Sequence, residues 1–204
     1  MFVNCWPDAG EAEAVLLADE YQGAFAAAQA AFALGHRELA FLGGPRGDYA
    51  WLERQRGCID AARAIGLGPA AVAQLYGDYS INSGYELTLR VMTENRPTAL
   101  VCGNDRMAIG SLLAVQSLDL DCPSDVSIIC FDDQPDVADQ IRPGLATVGL
   151  PYLQMGRRAG QLLLEAPTDP NERLIMPTEL IRRDSLGPPP AARRRIGRRR
   201  DVRE

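Results

Sequence analysis

Short apolar runs alternate with longer amphipathic segments along most of this chain. The runs are rich in aliphatic and aromatic residues, as buried strands are, and each ends in a polar corner that opens into a helix-like repeat of apolar positions. We predict strands at residues 1–5, 14–18, 38–42, 72–76, 99–102 and 126–131. We predict helices at residues 21–34, 50–65 and 81–94, with a further helix between the last two strands.

The repeat of strand and helix from residue 14 to residue 131 predicts a parallel, doubly wound α/β sheet with right-handed crossovers. The pattern changes after Asp133, where residues 134–144 are rich in proline and acids and are typical of a hinge. A strand, a helix and two short strands then follow at 145–150, 152–165, 173–175 and 179–181. Since these elements have no clear place in the first sheet, we predict an incomplete second α/β lobe.

Polar side chains follow two apolar runs of the segment 97–133, around which the rest of the chain is organised. Asn104 and Asp105 come after the first run, and Asp132 and Asp133 come after the second. Ligands of open α/β sheets bind outside the carboxyl ends of the strands, where helices begin. We therefore expect an amide and a carboxylate at a ligand site, with Asp105 serving as a helix cap and not as a ligand.

Composition and charge narrow the class of protein. The 204 residues are 47% hydrophobic and 24% charged, which is ordinary for a globular protein. The sequence has arginine but no lysine. Residues 191–204 contain seven arginines and two acids and so carry a charge of +5. Since the net charge of the whole chain is −6, residues 1–190 carry −11. An acidic body argues against broad contact with nucleic acid. We see no membrane span or signal peptide, and we expect a cytoplasmic protein.

Candidate catalytic chemistry is weak in this sequence. The glycine-rich corner at 43–48 matches neither common phosphate-binding loop, and Pro45 removes a backbone donor from it. The five cysteines form no paired motif and mostly lie in apolar runs, so we expect reduced buried thiols. We therefore predict no enzyme, no cofactor and no metal site.

Two further residues each have two possible roles. Arg54 lies either on a solvated helix face or at a ligand site. Tyr79 either stacks on a ligand ring or covers the sheet edge.

Several blocks, in order and spacing, resemble the effector-binding domain of the lac repressor family of bacterial transcription regulators. They read VLLADEYQGAFAAAQAAFALGHRELAFLGGP, PTALVCGNDRMAIGSLLAV, CPSDVSIICFDD and LATVGLPYLQMGRRAGQLLLE. The resemblance covers residues 1–184. It implies a periplasmic-binding-protein-like fold of type I, with two α/β lobes, three crossings and a small molecule in the cleft.

The resemblance also implies a division of the chain and a set of ligand contacts. It places residues 1–13 and 134–168 in a remnant of the N-terminal lobe and residues 14–133 and 169–184 in the C-terminal effector-binding lobe; residues 185–204 are predicted to be a disordered, arginine-rich tail. The family's effector contacts fall on Arg54, Tyr79, Asn104 and Asp132. At Asp48 and Ala50, where some members contact ligand, the sequence offers no distinctive group. His36 is expected to be structural.

The expected function is that of a small-molecule sensing domain, with a sugar as the favoured effector, in a bacterial transcriptional regulator. The resemblance implies a homodimer for full-length members and operator binding only through a helix-turn-helix head, which we do not find in this sequence. We accordingly expect a truncated chain that does not repress by itself. The alternatives are a periplasmic-type sugar-binding protein of a transport system and an enzyme with a nucleotide site on the sheet.

Overall fold

A computed structural model describes residues 2–5, 15–164 and 173–192. The described strands are β1 (Phe2–Val3), β2 (Val15–Ala18), β3 (Leu39–Gly43), β4 (Val72–Tyr76), β5 (Ala99–Cys102), β6 (Ser127–Asp132), β7 (Ala146–Gly149), β8 (Arg173–Met176) and β9 (Glu179–Ile181). The described helices are α1 (Glu20–Ala33), α2 (Tyr49–Ala64), α3 (Ile81–Glu94), α4 (Asp105–Ser117) and α5 (Tyr152–Leu164), with a short 3-10 turn at Pro69–Ala71. None of these helices is long and apolar enough to cross a membrane.

A six-stranded sheet forms the larger part of the molecule. Its strand order is β4-β3-β5-β6-β7-β9, in which all neighbours are parallel except β7 and β9. Successive residues of its central strands face opposite sides, as the pleat requires. Phe41, Val101 and Phe131 pack with α1 and α2 on one face, whereas Leu42 and Leu100 pack with α3 and α4 on the other. Because both faces are covered, the strands β3 and β5 are apolar along their whole length.

A three-stranded parallel sheet, in the order β1-β2-β8, forms the smaller part. Helix α5 lies beside β2 and buries Met155, but exposes Leu153, Leu163 and Leu164. Two separate sheets agree with the predicted incomplete second lobe. The α/β fold, with its mostly parallel sheet, is as predicted.

Strand pairing corrects the predicted division of the chain at three strands. β2 was expected in the larger lobe, yet it pairs with β1 and β8 in the small sheet. β7 was expected in the remnant of the N-terminal lobe, yet it pairs with β6 in the large sheet. β8 lies within residues 169–184, which were expected in the larger lobe, yet it pairs with β2 in the small sheet. The reason is that a short buried strand has the same apolar pattern in either sheet, so only its partner decides where it lies.

The predicted tail is corrected at its beginning. Ser185 is fully buried: its hydroxyl donates to Ile128 O and accepts from Ala146 N, which ties the segment to β6 and β7. Gly187 is bound to Ser127, and its carbonyl oxygen lies 2.8 Å from His36 Nε2. Residues 185–187 are therefore packed on the large sheet, and the arginine-rich residues 193–204 lie outside the described residues.

His36 has the structural role that was expected of it. Its ring is buried, with Nδ1 2.8 Å from Thr98 Oγ1 and Nε2 against Gly187 O. Burial lowers the pKa of His36, so the neutral ring is favoured. The preceding Gly35 has a φ of +108°, a left-handed conformation that ends α1 and that glycine adopts without strain.

Candidate functional site

A cavity of about 300 Å³ opens where the carboxyl ends of the two sets of strands meet. The described residues that line it all lie in segments that end or follow a strand: Asn4, Glu20, Asp48, Ala50, Arg54, Tyr79, Gly103, Asn104, Asp132 and Tyr152. The four residues predicted from sequence, Arg54, Tyr79, Asn104 and Asp132, all lie in this wall. The structure thus brings together groups that are up to 78 positions apart in sequence, from Arg54 to Asp132.

Arg54 lies on α2 and is buried against the cavity wall. Its Nε donates to Glu20 Oε2 at 2.7 Å, Nη1 donates to Gly103 O, and the guanidinium carbon lies 4.0 Å from the centre of the Phe131 ring. Burial disfavours the arginine charge, but the Glu20 carboxylate more than offsets this and raises the pKa of Arg54. The solvated-face alternative for Arg54 is therefore excluded.

Tyr79 stands at the corner after β4 with a φ of +63°. Its hydroxyl donates to Asp48 Oδ2 at 2.7 Å, and burial together with this bond raises the pKa of Tyr79. A Cβ atom on Gly44 would lie 2.0 Å from the Tyr79 Cζ, so the ring occupies space that only glycine leaves open. Asp48 was expected to be without a distinctive role, and it is instead the group that fixes this ring.

Asn104 is the N-cap of α4, and this corrects the assignment of that role to Asp105. Its Oδ1 accepts from Met107 N at 2.8 Å, and its Nδ2 donates to Tyr79 O at 3.2 Å. Since one amide hydrogen has no partner among these bonds, the side chain can still donate into the cavity. The two neighbours are both good capping residues, and the backbone geometry alone decides between them.

Asp105 lies behind the cavity wall, where it is fully buried as the first residue of α4. Its carboxylate accepts from Gln134 N at 2.7 Å, from Cys130 Sγ at 3.0 Å and from Thr147 Oγ1 at 3.4 Å. Burial raises the pKa of Asp105, although the bonds from Cys130 and Gln134 oppose the shift. Asp105 therefore holds the chain after β6 and does not line the cavity.

Asp132 ends β6 and is partly buried, with a φ of +104° that places its carboxylate at the sheet edge. Oδ1 accepts from Tyr152 OH at 3.0 Å, and Oδ2 accepts from Gln134 Nε2 at 3.4 Å. Burial raises the pKa of Asp132, and the nearby Arg54 charge works against this rise. Because Tyr152 begins α5, this bond links the large sheet to the helix of the small sheet.

Two wall residues with ionisable side chains were not found from the sequence. Glu20 was given no role at a site, and Tyr152 was predicted only as the first residue of a helix. The residue before Glu20, Asp19, caps α1, with Oδ1 accepting from Gln22 N. The signal for Glu20 was its place directly after a buried strand, the same position that singled out Asn104.

Comparison with known proteins decides the family. A model of the periplasmic binding protein-like domain matches residues 28–186, which is most of the chain. The chain belongs to the periplasmic binding protein-like domain family. The curated relatives of the chain and the solved structures that it matches confirm its resemblance to the effector-binding domain of the lac repressor family.

The curated relatives are bacterial repressors. The chain is 30% identical over 175 residues to a protein of Bacillus subtilis (strain 168) named "Probable HTH-type transcriptional repressor ExuR", and the match covers 84% of this chain and 52% of that protein. It is 31% identical over 177 residues to the lactose operon repressor of Klebsiella pneumoniae, with 85% and 49% covered. The chain spans about half the length of these relatives.

Solved structures share the fold. A complex of the transcriptional regulator CelR with cellobiose superimposes with a TM-score of 0.81 at 26% identity, covering 90% of this chain and 57% of that one. A LacI family regulator from Enterococcus faecium with bound ribose gives a TM-score of 0.82 at 23% identity, covering 91% and 69%. The second likeness shows the fold alone.

Proposed function

We propose that the cavity binds a sugar or a related small metabolite, and that this binding regulates transcription by the protein to which the domain belongs. One observation carries the proposal: a cation, an amide, a carboxylate and an aromatic ring from four separate elements line one cavity, in Arg54, Asn104, Asp132 and Tyr79. A polyhydroxylated ring presents donors and acceptors at its edge and an apolar face, which this set of groups matches.

Each proposed contact residue has bonding capacity left for a ligand. Arg54 uses Nε and Nη1 in the bonds described above, and a guanidinium carries five N–H donors in all. An ionised carboxylate such as that of Asp132 can accept about four hydrogen bonds, which suits paired hydroxyls. The fixed ring of Tyr79 costs little entropy on binding because Gly44 and Asp48 already hold it.

The relatives support a regulatory role over transport. The curated relatives are named as repressors, and the solved relatives with bound cellobiose or ribose are described as transcriptional regulators. A sugar-binding protein of a transport system is therefore not favoured. Since these relatives regulate transcription and none of them is named as an enzyme, we propose a cytoplasmic, non-enzymatic sensor.

The mechanism that we propose is a shift between two arrangements of the sheets around the cavity. An effector favours one arrangement only by the difference between its affinities for the two, commonly about 1–3 kcal/mol of coupling. A dimeric lac repressor is among the solved relatives, with a TM-score of 0.78. We propose that the whole protein is a homodimer and that it binds operator DNA through a separate head domain.

Calorimetric titration of the purified chain tests the proposed ligand class. We expect at least one of ribose, cellobiose, galactose and their close relatives to bind one site per chain and to raise the midpoint of thermal unfolding, because ligand binds only the folded state. Glycerol at the same concentration is the control for unspecific stabilisation by a polyol. Failure of every sugar in such a panel to bind would contradict the proposal.

A further inference from the structure

The cavity has a surplus of negative charge. Three carboxylates line it, those of Glu20, Asp48 and Asp132, against one basic side chain among the described lining residues, that of Arg54. The described wall thus carries a formal charge of −2 at neutral pH.

The single cation of the described wall is already neutralised within the protein. Arg54 and Glu20 form an ion pair of 2.7 Å whose side chains are only 5% and 2% exposed. Asp48 and Asp132, in contrast, are bonded to neutral donors, the hydroxyls of Tyr79 and Tyr152. A ligand in the cavity therefore meets two carboxylates that are hydrogen-bonded only to neutral donors, with Arg54 acting on Asp132 at longer range.

We propose that this cavity selects polyols without negative charge, including those with a protonated amine, and rejects uronates and sugar phosphates. The inference rests on the proposed function and narrows its ligand class. Hydroxyl and ammonium groups donate to carboxylates, whereas a ligand carboxylate or phosphate can only accept and would be repelled by Asp48 and Asp132.

Helix N-termini favour anionic ligands, and side chains reduce this attraction at the cavity. Helices α1, α2, α4 and α5 begin at the cavity, and the partial positive charge of a helix N-terminus attracts anions. The first turn of α1 carries the Glu20 carboxylate, and the carboxylate of its cap Asp19 accepts from Gln22 N. At α4 the Oδ1 of Asn104 already occupies the Met107 N–H. At α2 the N-cap is Asp48 itself, whose carboxylate brings negative charge to that end. The acidic side chains at α1 and α2 and the Asn104 cap at α4 therefore oppose the attraction of these N-termini for anions.

Titration calorimetry at pH 7 and low salt with matched ligands provides the test. Each set keeps one ring and changes only the charge: glucose, glucosamine, glucuronate and glucose 6-phosphate, with the corresponding galactose set and ribose with ribose 5-phosphate. We expect the best-binding ring to lose roughly ten-fold or more in affinity on gaining a negative charge. An anionic member that binds as tightly as its neutral parent would overturn the inference but support the proposed function.

Binding by no ligand of any charge would overturn both proposals, so the two failures are distinguishable. The variant Asp48→Asn sharpens the test, because its amide oxygen can still accept from Tyr79 OH while one charge is removed. We expect this variant to narrow the neutral-to-anionic ratio by roughly ten-fold. Glu86→Gln, an exposed position on α3, changes the net charge equally and should leave the ratio unchanged. An unchanged ratio in Asp48→Asn would contradict the inference.

Discussion

The ion pair of Arg54 and Glu20 gives a structural role to the residue that we propose as a ligand contact, Arg54. Both side chains are almost completely buried, and the pair joins α2 to the start of α1 beneath the cavity floor. Two charges lose their hydration on burial, and their attraction compensates only while both are present. The pair therefore fixes the position of the guanidinium and makes each partner depend on the other.

Removal of the Glu20 charge is predicted to be costly. Glu20→Gln should lower the free energy of unfolding by about 3–5 kcal/mol, since it leaves the Arg54 charge buried without a counter-charge. Glu53→Gln is the matched control, because Glu53 pairs with Arg56 at 2.6 Å with side chains 20% and 58% exposed. That change should cost less than about 1 kcal/mol. Urea unfolding of both variants measures the difference; equal losses would refute the assigned importance of the buried pair.

Helices α3 and α4 approach each other closely because of two glycines. A Cβ on Gly110 would lie 2.0 Å from Ile81 O, and one on Gly84 would lie 2.2 Å from Met107 O. The atoms in the way are backbone atoms, which cannot turn aside as a flexible side chain can. The contact sets where α4 lies, and so where its cap Asn104 meets the cavity.

Alanine at Gly110 should therefore destabilise the protein. We expect Gly110→Ala to cost about 1–3 kcal/mol in the free energy of unfolding, because the helices must separate to admit the methyl group. Gly160→Ala in α5 is the matched control, since no atom of the described residues outside the adjoining helix backbone lies within 4 Å of its added Cβ. Alanine is the better helix former by about 1 kcal/mol, so the control should be neutral or stabilising. Chemical denaturation would contradict this packing if the two changes had the same effect.

The elements themselves were predictable, and their partners were not. Predicted strands at 72–76 and 99–102 coincide with β4 and β5, because apolar runs between polar corners mark buried parallel strands. The sheet to which β2 belongs could not be predicted, since a short buried strand has the same apolar pattern in either sheet. Ser185 was missed for a related reason, because a polar residue is buried only when the fold supplies its bonding partners.

The four predicted site residues share a cavity because strand ends of a parallel sheet converge, which is a rule of topology and needs no contact information. The second half of the wall was missed. Glu20 and Tyr152 follow β2 and β7, and their contacts with Arg54 and Asp132 depend on how α1 and α5 pack, which the sequence pattern does not give. That the four predicted residues contact a ligand remains a prediction.

The molecule as a whole is two sheets whose strand ends enclose one cavity. The bond from Tyr152 OH to Asp132 joins α5, which packs beside β2 of the small sheet, to the end of β6 in the large sheet. A ligand that bonds to Asp132 would share this carboxylate with Tyr152. We propose that effector binding and the arrangement of the sheets are coupled through this side chain.

Calorimetric titration of Asp132→Ala with the tightest-binding uncharged sugar tests the assignment of the effector site most directly. We expect affinity to fall by roughly ten-fold to a hundred-fold, as loss of hydrogen bonds to a charged group implies. Asp139 is an exposed acid in the segment that follows β6, and the control variant Asp139→Ala should bind the sugar as tightly as the parent chain does. Urea unfolding confirms that both variants are folded at the titration temperature. An Asp132→Ala variant that is folded and binds the sugar as tightly as the parent chain would contradict the assignment of this cavity as the effector site.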